Sequence, residues 1–294
     1  MQLSSPLQAA KRSIVAHFAR LPVVLQTQEI AQVLAIGRVG WHLPAAVTLP
    51  VFIDFLLDSG WLQCHRFKFP QRPQTLYTWG EASHHAMALK LKPRSYLSHF
   101  TALRAHGLAI RGASRLYQVT HERTSLPDRA PLTQAAIDDA FSQPARVSSQ
   151  KAVCGTGRVT LFNGANTGEA GVVDMLLHDH AGRASSGRIT SLERTLIDAA
   201  VRPVYCGGVK TVAQCYAKAK SRLDLPTLLD VLARLHLSYP HHQAIGYYLE
   251  RTGWDWTSLA GLHRQPMDFD FFLMHEMART EYVARWRLHV PQGF

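Results

Sequence analysis

The chain has 294 residues, 47% of them hydrophobic, with 32 Lys and Arg against 21 Asp and Glu for a formal net charge of +11. That length fits two domains or three smaller modules better than one core, and no stretch approaches the roughly 20 apolar residues of a membrane-spanning helix. The charge is uneven: residues 1–130 hold 15 Lys and Arg against 6 Asp and Glu, while residues 131–294 hold 17 against 15. A basic front half on a near-neutral back half points to a polyanion-binding module carried on an ordinary scaffold, with a merely solvated basic surface as the simpler account.

Residues 2–20 predict a first helix, because Leu3, Leu7, Ala10, Ile14, Val15 and Phe18 recur at helical spacing before Leu21 and Pro22 end it. The Lys11 and Arg12 pair in this segment is not followed by the apolar run and cleavage site of a secretory signal. A short second helix is expected from Thr27 as N-cap through Leu34, then a Gly-rich loop over 36–41. A third helix is expected from Thr48 to Ser59, stopped by Gly60, with Pro50 tolerated in its first turn. Alternation over 61–69, a turn at 70–74 and a return over 75–79 predict a β-hairpin. Three helices followed by a hairpin is the order of a winged helix-turn-helix. In such a module Arg66, Lys68 and Arg72 stand where a wing meets the phosphate backbone. The third helix is mostly apolar and offers Thr48 but no Arg, Asn or Gln for reading bases. That role would pass to Arg38 and His42 in the preceding loop, unless the module serves dimerisation or protein docking instead.

Further along, Ser95 is expected to cap a helix with Leu97, Phe100 and Leu103 on its apolar side and Gly107 at its end. Strands are expected over 116–120, 158–163 and 171–177, and a helix over 132–141. From Ser191 the pattern reads as helical, with amphipathic segments at 209–220, 224–237 and 242–252. The expected architecture is therefore α+β: a winged helix-turn-helix domain over 1–83, a small α+β domain over 84–190 and a mainly helical region over 191–294.

Residues 188–208 hold the densest pattern, Arg-Ile-Thr-Ser-Leu-Glu-Arg-Thr-Leu-Ile-Asp followed by Arg-Pro and Gly-Gly. Physically this is a helix capped by Thr190 or Ser191, with Leu192, Leu196, Ile197 and Val201 on one side and Arg194 facing Asp198 one turn on. It also resembles the S/T-x-x-E-R-T-L-x-D … R-P … G-G signature of the AbiEi family, the antitoxin and repressor partners of nucleotidyltransferase toxins in bacterial abortive-infection operons (type IV toxin–antitoxin systems). Tyr96, Ser98, Ala102, Leu103, His106, Gly107 and Leu108 are similar to a second family segment, and 242–250 to a third. In the third, His241 and His242 stand near the place of the family's basic pair. The 285–291 tail resembles the family's ending. The resemblance implies a cytoplasmic autorepressor whose N-terminal module binds inverted repeats in double-stranded DNA, as a dimer or cooperatively. It also implies a C-terminal region that counters a nucleotidyltransferase toxin. Glu193, Arg194 and Asp198 are the family-motif residues, and helix capping and ion pairing account for them most simply.

Little else suggests chemistry. The cysteines Cys64, Cys154, Cys206 and Cys215 form no Cys-x-x-Cys pair and are expected to be reduced. Gly155-x-Gly157 and Gly164 are not followed by the Lys-Ser/Thr of a phosphate loop. The pairs Asp138 and Asp139, His178 and His180, and Asp268 and Asp270 lack the further ligands of a metal site. No catalytic residue, metal or cofactor is expected, and a toxin's own nucleotidyltransferase pattern is absent. Two alternatives remain open: a plain transcription factor with no toxin, and an antitoxin that holds its toxin directly.

Overall fold

The computed structural model describes residues 4–109, 115–124, 131–179 and 182–294. It is a mixed α+β structure in which, among the described residues, no helix is long and apolar enough to cross a membrane. Helices α1 (Ser4–Ala9) and α2 (Lys11–Phe18) run almost as one, since Ala10 keeps a helical backbone and its N–H bonds Pro6 O at 3.1 Å. Leu7, Ile14 and Phe18 recur on the buried side of this pair.

Strand β1 (Val24–Gln26) leads into α3 (Thr27–Gly40). Glu29 accepts the Gln26 N–H at 2.7 Å, so the cap falls at Gln26, one residue before the expected Thr27. The expected loop over 36–41 is instead helix as far as Gly40, with Trp41 as the C-cap. The Trp41 ring lies over Gly37, where a Cβ would overlap it. Thr48 then precedes α4 (Leu49–Asp58), whose Phe52, Ile53 and Leu56 are buried. The hairpin forms as expected from β2 (Leu62–Phe67) and β3 (Gln74–Trp79), paired with Phe67 opposite Gln74. Strand β1 adds to β3, giving a three-stranded antiparallel sheet in the order β1-β3-β2.

Helix α5 (His84–Lys90) precedes β4 (Tyr96–Leu97) and α6 (His99–Ala105). Ser95 is therefore not the helix cap; its hydroxyl bonds Leu89 O at 2.7 Å, and Ser98 occupies the cap position. Then follow β5 (Leu116–Glu122), α7 (Gln134–Ser142), β6 (Lys151–Cys154), β7 (Gly157–Gly164), β8 (Val172–His178) and β9 (Ala184–Thr190). Six strands make one mixed sheet in the order β6-β7-β5-β4-β9-β8, leaving β6 at an edge.

Ser191 caps α8 (Leu192–Val201) by accepting the Arg194 N–H at 3.2 Å, while Thr190 ends β9. Helices α9 (Val209–Ala219), α10 (Leu225–Arg234) and α11 (His241–Arg251) pack around it, and α12 (Ala260–His263) packs on α11. The helical expectation ends there. A small sheet of β10 (Phe271–Phe272), β11 (Thr280–Val283) and β12 (Leu288–Pro291) closes the chain, with β12 central. Its strands of two to four residues are too short to leave an alternation pattern in the sequence.

Three buried apolar clusters hold these layers together. One joins α1–α4 to the three-stranded sheet. A second brings Val24, Phe67, Phe69 and Leu76 together with Ala152, Cys154, Val159 and Leu161. The largest surrounds α8 to α11 and also takes in Phe100, Leu103, Ile137 and Phe141.

Candidate nucleic-acid interface

Strand periodicity decides where the hairpin cations point. Phe67 and Phe69 are buried while Arg66 and Lys68, one step out of phase, are exposed. The second strand involved is β6, whose residues alternate in the same way: Ala152 and Cys154 are buried, Lys151 and Val153 exposed. Because β2 lies against β6 and their inward side chains share one cluster, their outward side chains share one solvent face. Arg158 joins that face from β7, directly opposite Val153.

These residues enclose a cleft of about 350 Å3 lined by Arg66, Lys68, Lys151, Ala152, Val153 and Arg158. Four of the six are cations and none is acidic. Among the described ion pairs, none involves any of the four. Like charges held around one concavity repel one another in the free protein, and a bound anion reverses that cost. A single Lys on an edge strand is accounted for by protection against sheet-to-sheet pairing. Four converging cations, from β2 and the turn after it, β6 and β7, exceed that need.

The remaining sequence candidates lie elsewhere. Arg72 is exposed in the hairpin turn. Arg38 donates to Pro44 O at 2.7 Å and to Val47 O at 2.8 Å, so its guanidinium clamps the turn between α3 and α4. His42 is exposed in that turn with φ of 52°, and Thr48 is exposed at the start of α4. None of these residues lines the cleft. The solvent face of α4 presents Pro50, Asp54 and Asp58, and α3 exposes Ile36 (75%) and Val39 (83%).

Lys151 and Arg158 were missed by sequence reasoning. The signal was there in residues 151–158, where Lys-Ala-Val-Cys alternates and Gly155-Thr156 makes a turn with Gly155 at φ of 56°. Read as a failed phosphate loop, the same glycines concealed a hairpin.

Glu193, Arg194 and Asp198 are away from the cleft, on α8. Arg194 is buried, donating to Asp198 at 2.8 Å and to Ala170 O at 2.6 Å, with the Tyr96 hydroxyl at 3.4 Å. Burial opposes its charge, but Asp198 outweighs that and holds the guanidinium above its ordinary pKa. Burial raises the Tyr96 phenol far above its usual range. It also pushes Glu122 up, but hydrogen bonds from Thr167, the Glu169 N–H and Tyr96 hold that carboxyl below its usual value. Glu193 accepts from Ser191 at 3.2 Å and from the Asp224 N–H at 3.4 Å. In the C-terminal motifs, Glu250 accepts from the Trp286 indole at 2.6 Å and pairs with Arg285. His241 is buried, and desolvation drives it down to about 3; His242, also mainly by burial, falls to about 4.

Asp270 accepts from Arg287 at 2.9 Å and from Tyr282 at 2.7 Å, so that carboxylate is used within the fold. Asp179 pairs with His84 and Arg183, each at 3.0 Å, while His180 lies outside the described residues. Among the described residues, no group of three or more His, Cys, Asp or Glu side chains is placed to hold a metal ion.

No protein-family model matches the chain, and no curated protein matches it. Among solved structures, the crystal structure of the RV2827C protein from Mycobacterium tuberculosis is similar, with a TM-score of 0.56 and 15% sequence identity. The match covers 96% of this chain and 91% of that one. At that identity the likeness shows a shared fold.

Proposed function

We propose that the chain is a DNA-binding autorepressor and antitoxin of the AbiEi kind, acting against a nucleotidyltransferase toxin and using its first 83 residues as a winged helix-turn-helix. The observation that carries the DNA reading is the set of exposed hairpin cations, Arg66, Lys68 and Arg72, none of which forms a described ion pair. The order of α1 to α4 followed by β2 and β3 supports the winged arrangement, with β2 and β3 as the wing. The antitoxin part rests on the motif resemblance. Asp54 and Asp58 would face phosphates if α4 lay along a groove, so contact is expected from the Thr48 end of α4, from His42 and from the wing.

The test is a fluorescence-anisotropy titration against the gene's own upstream duplex and a scrambled duplex at two salt concentrations. Preference for the upstream duplex that persists at the higher salt, and is lost in an Arg66→Ala/Lys68→Ala/Arg72→Ala variant, supports the reading. Equal binding to both duplexes, erased by salt, would mean only a basic surface and would overturn it.

A second reading has an observation of its own. The acidic face of α4 and the exposed Ile36 and Val39 on α3 suit a protein surface better than a DNA groove. In that case the module holds the toxin directly. Stable co-elution with the nucleotidyltransferase of its own operon, without duplex binding, is the result that favours it.

A further inference from the structure

Resting on the DNA reading above, we infer that the cleft between β2 and β6 is a phosphate-backbone site that extends the interface from the hairpin onto the six-stranded sheet, with Lys151 and Arg158 as nucleic-acid contacts. Arg66 lies near the end of β2, and Lys68 just past it in a tight turn closed by the Phe69 N–H bonding Phe67 O at 3.1 Å; both are exposed and line one wall of the cleft. Lys151 and Arg158 supply the opposite wall, on β6 and β7. Four cations spread over two walls of one cleft suit consecutive phosphates better than one isolated anion.

The walls are fixed relative to each other. Phe67, Phe69, Ala152, Cys154 and Val159 are in one buried cluster, so the two pairs of cations are presented by a single packed unit. Val153, 69% exposed, sits opposite Arg158 and gives the floor an apolar patch that faces sugar edges without competing for phosphate. A duplex seated on the hairpin is therefore gripped on its backbone by residues from both sheets. The chemistry recognised is a chain of phosphates, which a duplex or a free polyphosphate could supply; the tests separate these sources.

The first arm compares the full-length protein with a Lys151→Gln/Arg158→Gln variant on the upstream duplex over a series of salt concentrations. Each phosphate contact contributes about 0.9 to the slope of log affinity against log salt. The expected slope is therefore shallower by nearly 2 in the double variant, with specificity for the upstream duplex over the scrambled one kept. A Lys210→Gln/Lys218→Gln variant, removing two exposed cations of α9, controls for net charge and is expected to keep the wild-type slope. The second arm titrates inorganic pyrophosphate into both proteins by calorimetry. Tight pyrophosphate binding, lost in the Lys151→Gln/Arg158→Gln variant while its duplex slope is unchanged, would assign the cleft to a free polyphosphate and overturn the inference. An unchanged slope in a variant of a protein that does bind the upstream duplex overturns the inference and leaves the DNA reading standing. Failure of the wild-type protein to bind the duplex defeats both, and is recognisable before any variant is made.

Discussion

Removing the carboxylate of Asp198 should leave a nearly dry cation behind. The Arg194 side chain is 8% exposed and Asp198 13%, with 2.8 Å between them. Breaking a buried pair by deleting one partner costs about 3–5 kcal/mol, mostly from the charge left uncompensated. Ala170 O and the Tyr96 hydroxyl keep part of the guanidinium satisfied, which places Asp198→Ala toward the lower end. For a chain of 294 residues that is a drop in unfolding midpoint of about 5 °C. The informative comparison is Arg194→Met with Asp198→Leu, since exchanging both charges for apolar groups of similar volume is often close to neutral. Differential scanning fluorimetry and urea unfolding on the two single variants and the double one measure the coupling. If the single variants lose under about 1 kcal/mol, as an exposed pair would, or if the double variant is worse than the two losses together, the structural account of these motif residues is wrong.

Further outcomes are expected. Stability should decline in acid because His241 titrates near 6.5 when unfolded but at about 3 in the fold. Its folded pKa is the lower one, so the contribution is complete above pH 6.5 and is lost as pH falls toward 3. The loss is up to about 1.4 kcal/mol per pH unit; urea unfolding at several pH values should show a shallower slope for His241→Phe, and an identical slope would refute it. Only Cys64 is exposed, while burial pushes Cys154 up to about 12 and Cys215 up to about 11 and also raises Cys206. One thiol should therefore react with Ellman's reagent in the native protein and all four in denaturant; fast reaction of a second native thiol contradicts the packing. Gly246→Ala would drive a methyl into the Trp286 ring and should destabilise by about 1–3 kcal/mol, measured as a loss in urea midpoint.

What could be read in the chain depended on the range of the interaction. The hairpin was legible because alternation is local, and so was α8, where Ser191, Arg194 and Asp198 lie within two turns. Helix α3 was cut short because Gly37 and Gly40 look like breakers, whereas Gly37 is there to make room for the Trp41 ring. Strands β1 and β10, with three and two residues, owe their conformation to partners far away, Leu76 to Thr78 and Leu288 to His289. Half of the cleft was visible as Arg66 and Lys68. The other half required knowing that residue 151 folds back against residue 66, which no periodicity encodes.

Because Phe67 and Phe69 share a buried cluster with Ala152 and Cys154, the hairpin cannot behave as a free arm. Lys90 reinforces the anchorage, pairing with Glu29 at 2.6 Å and accepting from the Gln26 amide through its carbonyl at 3.1 Å. The natural unit of exchange is then larger than the hairpin: a chimera that imports a foreign hairpin must import a matching β6 edge with it. Drift at position 67 or 69 should be answered by drift at 152 or 154, so the hairpin and the six-stranded sheet would diversify in step.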